Sequence, residues 1–227
     1  MALRWTTTDK AAASHGVKMM VYGRSGSGKT RLCATAPNPV ILSAESGLLS
    51  LGEYSIPTIE ISSIQDVDEA YRWLTGSKEA DQFDTICIDS ATEIAEVVLA
   101  AAKKSVKDPR QAYGELIDRM VEKIKMFRDI SGKHVYAAAK QARLKDDESG
   151  RMIYGPSMPG QQLGQNMPYY FDEVFHLDIA ATDDGTKYRY LRTQLDYQYD
   201  AKDSSGMLDE IERPDLTHII NKIMQRS

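Results

Sequence analysis

The residues best suited to chemistry stand close together in GRSGSGKTR, from Gly23 to Arg31. Gly23 and Gly28 enclose Arg24, Ser25, Gly26 and Ser27, and Lys29, Thr30 and Arg31 follow at once. Glycines at this spacing let the backbone curl until successive N–H groups point inward at phosphate oxygens. A helix opening at Lys29 adds its positive end to the same place. In this pattern the lysine reaches the β- and γ-phosphates and the Thr30 hydroxyl binds Mg²⁺, so the chemistry is that of gripping a nucleoside triphosphate such as ATP. Two carboxylates can join it. Asp89 ends the apolar run TICID and is either a hard oxygen ligand for Mg²⁺ or a helix cap. Glu45 ends VILSAE and either orients and deprotonates the water that attacks the γ-phosphate or is a surface carboxylate.

These groups need a frame that brings three strand ends together. VKMMVYG, Val17 to Gly23, reads as a buried strand running into the glycine loop, and Thr30 to Ala36 as a helix stopped by Pro37 and Pro39. VILSAESG, Ile56 to Ile61, DTICIDS and KHVYAAAKQ read as further strands, the first ending in Glu45 and the third in Asp89. Ser62 and Ser63 precede a helix with Ile64, Val67, Ala70, Tyr71 and Leu74 on one face, and Ser90 and Glu93 have capping-box spacing. Gln111 to Ile130 has a long helical period. Asp183-Asp184-Gly185 joins two strands of a hairpin, and Leu216 to Met224 is a last amphipathic helix. Arg143 to Met167 is rich in Gly, Pro, Ser, Asp and Gln and reads as a long irregular segment, either functional or merely a flexible lid. Strands alternating with helices predict an α/β fold: a mainly parallel sheet flanked by helices, with a C-terminal β-hairpin. Residues 1–16 form a polar arm and residues 17–227 one domain.

Composition sets limits. The chain has 227 residues, 42% of them hydrophobic, and a net charge of −5. No apolar run approaches membrane-spanning length and no signal-peptide core opens the chain, so the expectation is a cytoplasmic protein without a membrane partner. Cys33 and Cys87 lie in apolar stretches and read as buried, reduced thiols. No Cys/His cluster has zinc spacing. A protein that coats nucleic acid is usually basic, so DNA binding here requires a local patch. Lys103, Lys104, Lys107 and Arg110 form one candidate, or simply a solvated face.

At this point the chain resembles the RecA-type recombinase ATPases. GRSGSGKTRLC resembles their phosphate loop, LSAESG the strand end with their catalytic glutamate, DTICIDS their second Mg²⁺-binding strand, and YAAAKQARLKD the strand that ends in their γ-phosphate-sensing glutamine. The resemblance implies a RecA-like P-loop NTPase in which Glu45 is the catalytic base and Gln141 couples nucleotide state to DNA-binding loops. The chain looks like a bare ATPase core of this kind. It resembles the small phage-encoded RecA-like proteins of the phage nucleotide-binding, AAA-domain family, some of them single-strand annealing recombinases of the Sak type. A phage origin would place it in the host cytoplasm. LRTQLDYQYDAKDSSGML is similar to their C-terminal region, although Ser204 stands where a basic residue often follows the Lys-Asp pair.

The resemblance also implies a stabilising cation supplied in trans from a neighbouring subunit, with Lys202 and Arg192 as candidates, and hence a homo-oligomer or filament. It places DNA contact in the loops after Asp89 and after Gln141. That gives Lys103, Lys104, Lys107 and Arg110 in one region, and Arg143, Lys145 and Arg151 in the other, with Tyr154 to stack on a base. Tyr169, Tyr170 and Phe171 read as packing. The leading expectation is an Mg²⁺-dependent, DNA-stimulated ATPase acting on single-stranded DNA, with a single-strand-binding protein as a further partner. A nucleotide-dependent assembly factor, such as a helicase loader or packaging-associated ATPase, is the alternative. A small-molecule P-loop kinase comes third.

Overall fold

The computed structural model describes residues 5–45, 48–145 and 150–225. Helix α1 (Thr8–His15) leads to β1 (Lys18–Gly23), and the loop after β1 opens the short helix α2 (Lys29–Leu32). Then come β2 (Pro39–Ser43), β3 (Thr58–Glu60), α3 (Ile64–Gly76), β4 (Thr85–Asp89) and the helix pair α4 (Ala91–Ser105) and α5 (Pro109–Arg128). The chain continues through β5 (His134–Lys145), β6 (Met152–Ser157), α6 (Gln161–Asn166), β7 (Glu173–Ala181) and β8 (Lys187–Arg192). The short strands β9 (Lys202–Asp203) and β10 (Ile211–Glu212) and the helix α7 (Leu216–Met224) complete it.

All the strands join one sheet, ordered β10-β8-β7-β1-β5-β4-β2-β3, with β6 added on β5 and β9 on β7. β1 lies at its centre, parallel to β5 on one side and β7 on the other. β4, β2 and β3 extend the parallel part. β8 turns back antiparallel on β7, as the Asp-Asp-Gly turn predicts. The mainly parallel α/β sheet with flanking helices and a C-terminal hairpin is therefore what the chain forms.

Every residue of β1 is buried, so its side chains alternate between two cores. Met20 and Tyr22 face Leu42, Ile88, Val98, Leu116 and Ile124 beneath α3 to α5. Met19 and Val21 face Ile41, Cys87, Tyr136, Leu216 and Ile219, which brings α7 and the end of α2, at Leu32, onto the other side. Cys33 and Cys87 are buried and free in this second core. Among the described residues, no helix is long and apolar enough to cross a membrane.

Several boundaries differ from the sequence expectation. The arm contains α1, tied down where Gly132 N–H donates to the Ser14 carbonyl. Pro37 and Pro39 shorten the helix after the glycine loop to Lys29–Leu32, followed by one 3₁₀ turn. α5 begins at Pro109 because the Asp108 side chain caps it. The described residues of Arg143 to Met167 are not irregular, and residues 146–149 lie outside the described residues. β5 runs on past its last pairing with β1, at Lys140, and pairs with β6 up to Lys145 opposite Met152. Gly155 and Pro156 within β6 are residues that strand interiors seldom carry, which hides this pair from a reading by composition. Ser46 and Gly47, expected to end the second strand, lie outside the described residues.

Glu173 on β7 is 1% exposed; its Oε1 accepts from Ser205 N–H at 3.1 Å, and its Oε2 is buried with no hydrogen-bond partner. Burial first, then the negative charge of Asp203, pushes its pKa from 4.5 up to about 8. A raised carboxyl pKa contributes stability that is complete below the unfolded value and is lost as pH rises through the folded one. Glu173→Gln keeps the acceptor and loses the titration. Wild-type stability relative to this variant is expected to fall steadily from about pH 5 to about pH 8, as read by urea denaturation of both proteins. A constant difference across that window would refute the assignment.

Candidate functional site

Gly23 closes β1 where a side chain has no room: a Cβ there would lie 2.5 Å from the Leu177 carbonyl oxygen. Gly28 sits at φ 109°, a left-handed conformation that glycine adopts without strain, and it opens α2. The loop between them curls back on itself, and Lys29 Nζ donates into it, to the Gly23 carbonyl at 2.9 Å and the Arg24 carbonyl at 3.0 Å. Burial lowers the Lys29 pKa, while Asp89 and then Glu45 favour its charged form. From below, the buried Tyr136 hydroxyl donates to the Lys29 carbonyl at 2.7 Å and fixes the start of α2.

β4 and β2 lie beside β5 in the order β5-β4-β2, with Ser43 in register with Asp89. That register carries Glu45, two residues past Ser43, to the same edge as Asp89. Asp89 is 2% exposed, and its Oδ2 is buried with no hydrogen-bond partner. Burial raises its pKa; Glu45 pushes the same way, and a hydrogen bond from Thr30 and the charge of Lys29 oppose this. An orphaned carboxylate oxygen next to a threonine hydroxyl is a donor set that a hard divalent cation satisfies. Thr30 and Asp89 therefore fit magnesium and would hold it. A magnesium ion held there would neutralise charge on the phosphate oxygens of a bound nucleotide.

Ser90 caps α4 only loosely, with its hydroxyl 3.4 Å from Glu93 N, and donates to Glu45 Oε1 at 3.0 Å. Glu93 does not close a capping box; its carboxylate pairs with Lys140 instead. Gln141 follows Lys140 on β5, and its Oε1 lies 3.0 Å from His176 Nε2 on β7. Burial pushes His176 down to about 4, so near neutral pH the ring is uncharged and Nε2–H donates to Gln141. His176 stacks on Tyr199 at 4.1 Å, and Tyr199 stacks on Tyr154 at 5.4 Å. Arg143 lies over Tyr154 and Arg151 over Tyr197.

A cleft of about 730 Å³ opens over the phosphate loop. Gly23, Arg24, Ser25, Gly26, Gly28, Lys29, Thr30 and Arg31 line it, together with Glu45, Asp89, Gln141 and Arg143. Ser27 is buried beneath the loop. Tyr154, expected to stack on a base, lines the cleft too, and Lys140 and Arg189 join without having been marked by the sequence. Lys140 precedes Gln141 on β5, whereas Arg189 arrives through the sheet order, which places β8 beside β7.

The remaining candidates lie elsewhere. α4 starts directly after Ser90, so there is no loop after Asp89, and Lys103, Lys104, Lys107 and Arg110 fall at the turn between α4 and α5. That turn is closed by Ser105 donating to Glu115 at 3.0 Å, and Lys103 lies over the Tyr113 ring. Lys145 ends β5 at the far end of the β5–β6 pair. Lys202 Nζ donates to the Phe171 carbonyl at 2.5 Å and the Pro168 carbonyl at 3.0 Å. Arg192 pairs with Asp196 at 3.1 Å and Glu210 at 3.3 Å. Both cations that the sequence offers to a neighbouring subunit thus hold their own chain together.

Comparison with known proteins gives a match to the family described as AAA domain, over residues 15–205. No curated protein matches. Among solved structures, a KaiC-like protein of the archaeon Pyrococcus horikoshii OT3 is 15% identical, with 83% of this chain and 84% of that one covered and a TM-score of 0.44. The RadB recombinase is 15% identical, with 79% and 89% covered and a TM-score of 0.46. The flagellar accessory protein FlaH of Methanocaldococcus jannaschii is 11% identical, with 84% of each chain covered and a TM-score of 0.43.

Proposed function

The chain belongs to the AAA-domain family, and from that premise we propose that it is a magnesium-dependent ATPase acting on single-stranded DNA in recombination, by annealing or strand pairing. The observation that carries this reading is the convergence of Glu45 and Gln141 on one cavity with the phosphate loop and Asp89. Glu45 has the place and chemistry of a general base for water. Gln141 stands where β5 leaves the sheet to pair with β6 alone, and that pair carries Arg143 and Lys145, with Arg151 directly before β6. A change in the phosphate contact of Gln141 would be felt first at the base of this basic projection. Phosphate contacts there would give salt-dependent binding with little sequence preference.

A phage source, assembly into a homo-oligomer or filament on DNA, and cooperation with a single-strand-binding protein belong to this same reading. The test is the steady-state ATP hydrolysis rate with and without single-stranded DNA, at low and high salt. The expected result is stimulation that fades as salt rises. Turnover indifferent to DNA would reject the DNA-coupled reading. The net charge of −5 favours one second reading, in which nucleotide binding controls a protein partner, as in a helicase loader. Partner-dependent rather than DNA-dependent turnover would support it. Phosphate transfer to a small acceptor, unaffected by DNA, would instead mark the third reading, a kinase.

A further inference from the structure

Arg189 is a cation that the sequence did not single out and that the fold delivers to the phosphate loop from the same chain. It sits on β8, opposite Ile179 of β7, and its Nε donates to the Ser27 carbonyl at 2.8 Å. Its side chain lies over Gly28: a Cβ on Gly28 would meet Arg189 Nε at 3.0 Å and Cδ at 3.2 Å. The residue is exposed, and it lines the nucleotide cavity with Lys29, Thr30 and Glu45. The hydrogen bond at Nε leaves the terminal nitrogens of the fork to serve other acceptors. The two cations expected to act between subunits, Lys202 and Arg192, are engaged within their own chain.

We propose that Arg189 contacts the polyphosphate of the bound nucleotide in cis and is the third stabilising cation of the hydrolysis site, beside Lys29 and the metal. This rests on the ATPase reading above. A planar, permanently charged guanidinium suits phosphate oxygens, and its charge counts most where negative charge gathers on the transferred group. The bond to Ser27 keeps the side chain at the loop before nucleotide arrives, which lowers the entropy lost on contact. Assembly on DNA then organises the strands and is not required to complete the catalytic site. Gly28 has a second reason to be glycine: any side chain there would displace this arginine.

The experiment uses the full chain without DNA and compares wild type, Arg189→Gln and Arg189→Lys. Glutamine keeps an N–H donor for the Ser27 carbonyl and removes the charge, so it separates a prop for the loop from a cation for phosphate. ATP turnover of Arg189→Gln is expected to fall about a thousandfold, with partial recovery in Arg189→Lys. Affinity for inorganic tripolyphosphate, read by displacement of a fluorescent ATP analogue, is expected to fall on the order of tenfold or more in Arg189→Gln. Wild-type turnover per protomer is expected to stay constant as protein concentration rises. Wild-type turnover and tripolyphosphate affinity in Arg189→Gln would overturn the proposal, as would weakened ATP binding with tripolyphosphate unaffected, which marks a base contact. Turnover per protomer that climbs with concentration would also overturn it. If the wild type neither binds nor hydrolyses ATP, the ATPase reading fails first and this inference falls with it.

Discussion

Lys29→Ala is expected to lose ATP hydrolysis altogether and to weaken ATP binding by roughly tenfold to a hundredfold. In the structure the ammonium folds back onto the Gly23 and Arg24 carbonyls, inside the curl that the phosphates would enter. Nucleotide binding has to draw it off those two carbonyls and onto phosphate oxygens, an exchange of neutral acceptors for charged ones that favours the bound state. Asp89 and Glu45 keep the ammonium charged against the cost of its burial. Removing it leaves both carboxylates at the cavity with less positive charge to offset the incoming phosphates. Thermal unfolding separates this effect from damage to the fold. Wild type is expected to melt higher as ATP and Mg²⁺ are added, following ligand linkage, whereas Lys29→Ala keeps a similar ligand-free melting point and shows little further shift. Hydrolysis at the wild-type rate in this variant would remove the nucleotide reading of the whole site.

What could be read from the sequence divides by the range of the signal. The phosphate loop is local: Gly23, Gly28, Lys29 and Thr30 lie within one turn and its helix, so spacing alone defines them. Asp89 and Glu45 each end a short apolar run, and the observed register of Ser43 beside Asp89 follows from burying both runs in a parallel sheet. Arg189 was invisible because its partner Ser27 is 162 residues away, and only the return of β8 along β7 joins them. The β5–β6 projection was missed for a related reason. Arg143, Lys145 and Tyr154 share one face of this pair, and Gly155 and Pro156 sit within β6, so its composition resembles that of a loop. The basic group at Lys103 to Arg110 was legible as a cluster, but its place was not. Ser90 caps α4 with no intervening loop, and this carries the cluster to the distant end of that helix. Of the capping box expected from Ser90 and Glu93, the Ser90 half remains as a loose cap while its hydroxyl also donates to Glu45, and the Glu93 side chain goes to Lys140 instead.

Glu45→Gln is expected to bind ATP as wild type does and to hydrolyse it about a hundredfold to ten-thousandfold more slowly. The argument turns on what the substitution preserves. Ser90 Oγ donates to Glu45 Oε1 at 3.0 Å, and a glutamine amide oxygen accepts the same bond, so the side chain keeps its tether to the start of α4. What it loses is the capacity to take a proton from water and the negative charge that favours the ionised form of Lys29. Losing that charge near incoming phosphates does not weaken binding, and this sets the variant apart from Lys29→Ala, where affinity and turnover fall together. Single-turnover hydrolysis alongside equilibrium ATP binding checks the split. Slow turnover with intact affinity assigns Glu45 to the chemical step. Loss of both would make it part of the binding frame, and unchanged turnover would place the base elsewhere in the cavity. Ser90→Ala leaves the carboxylate in place and removes its tether together with the loose cap of α4, so it is expected to slow hydrolysis by a smaller factor, on the order of tenfold, as befits a residue that positions the base.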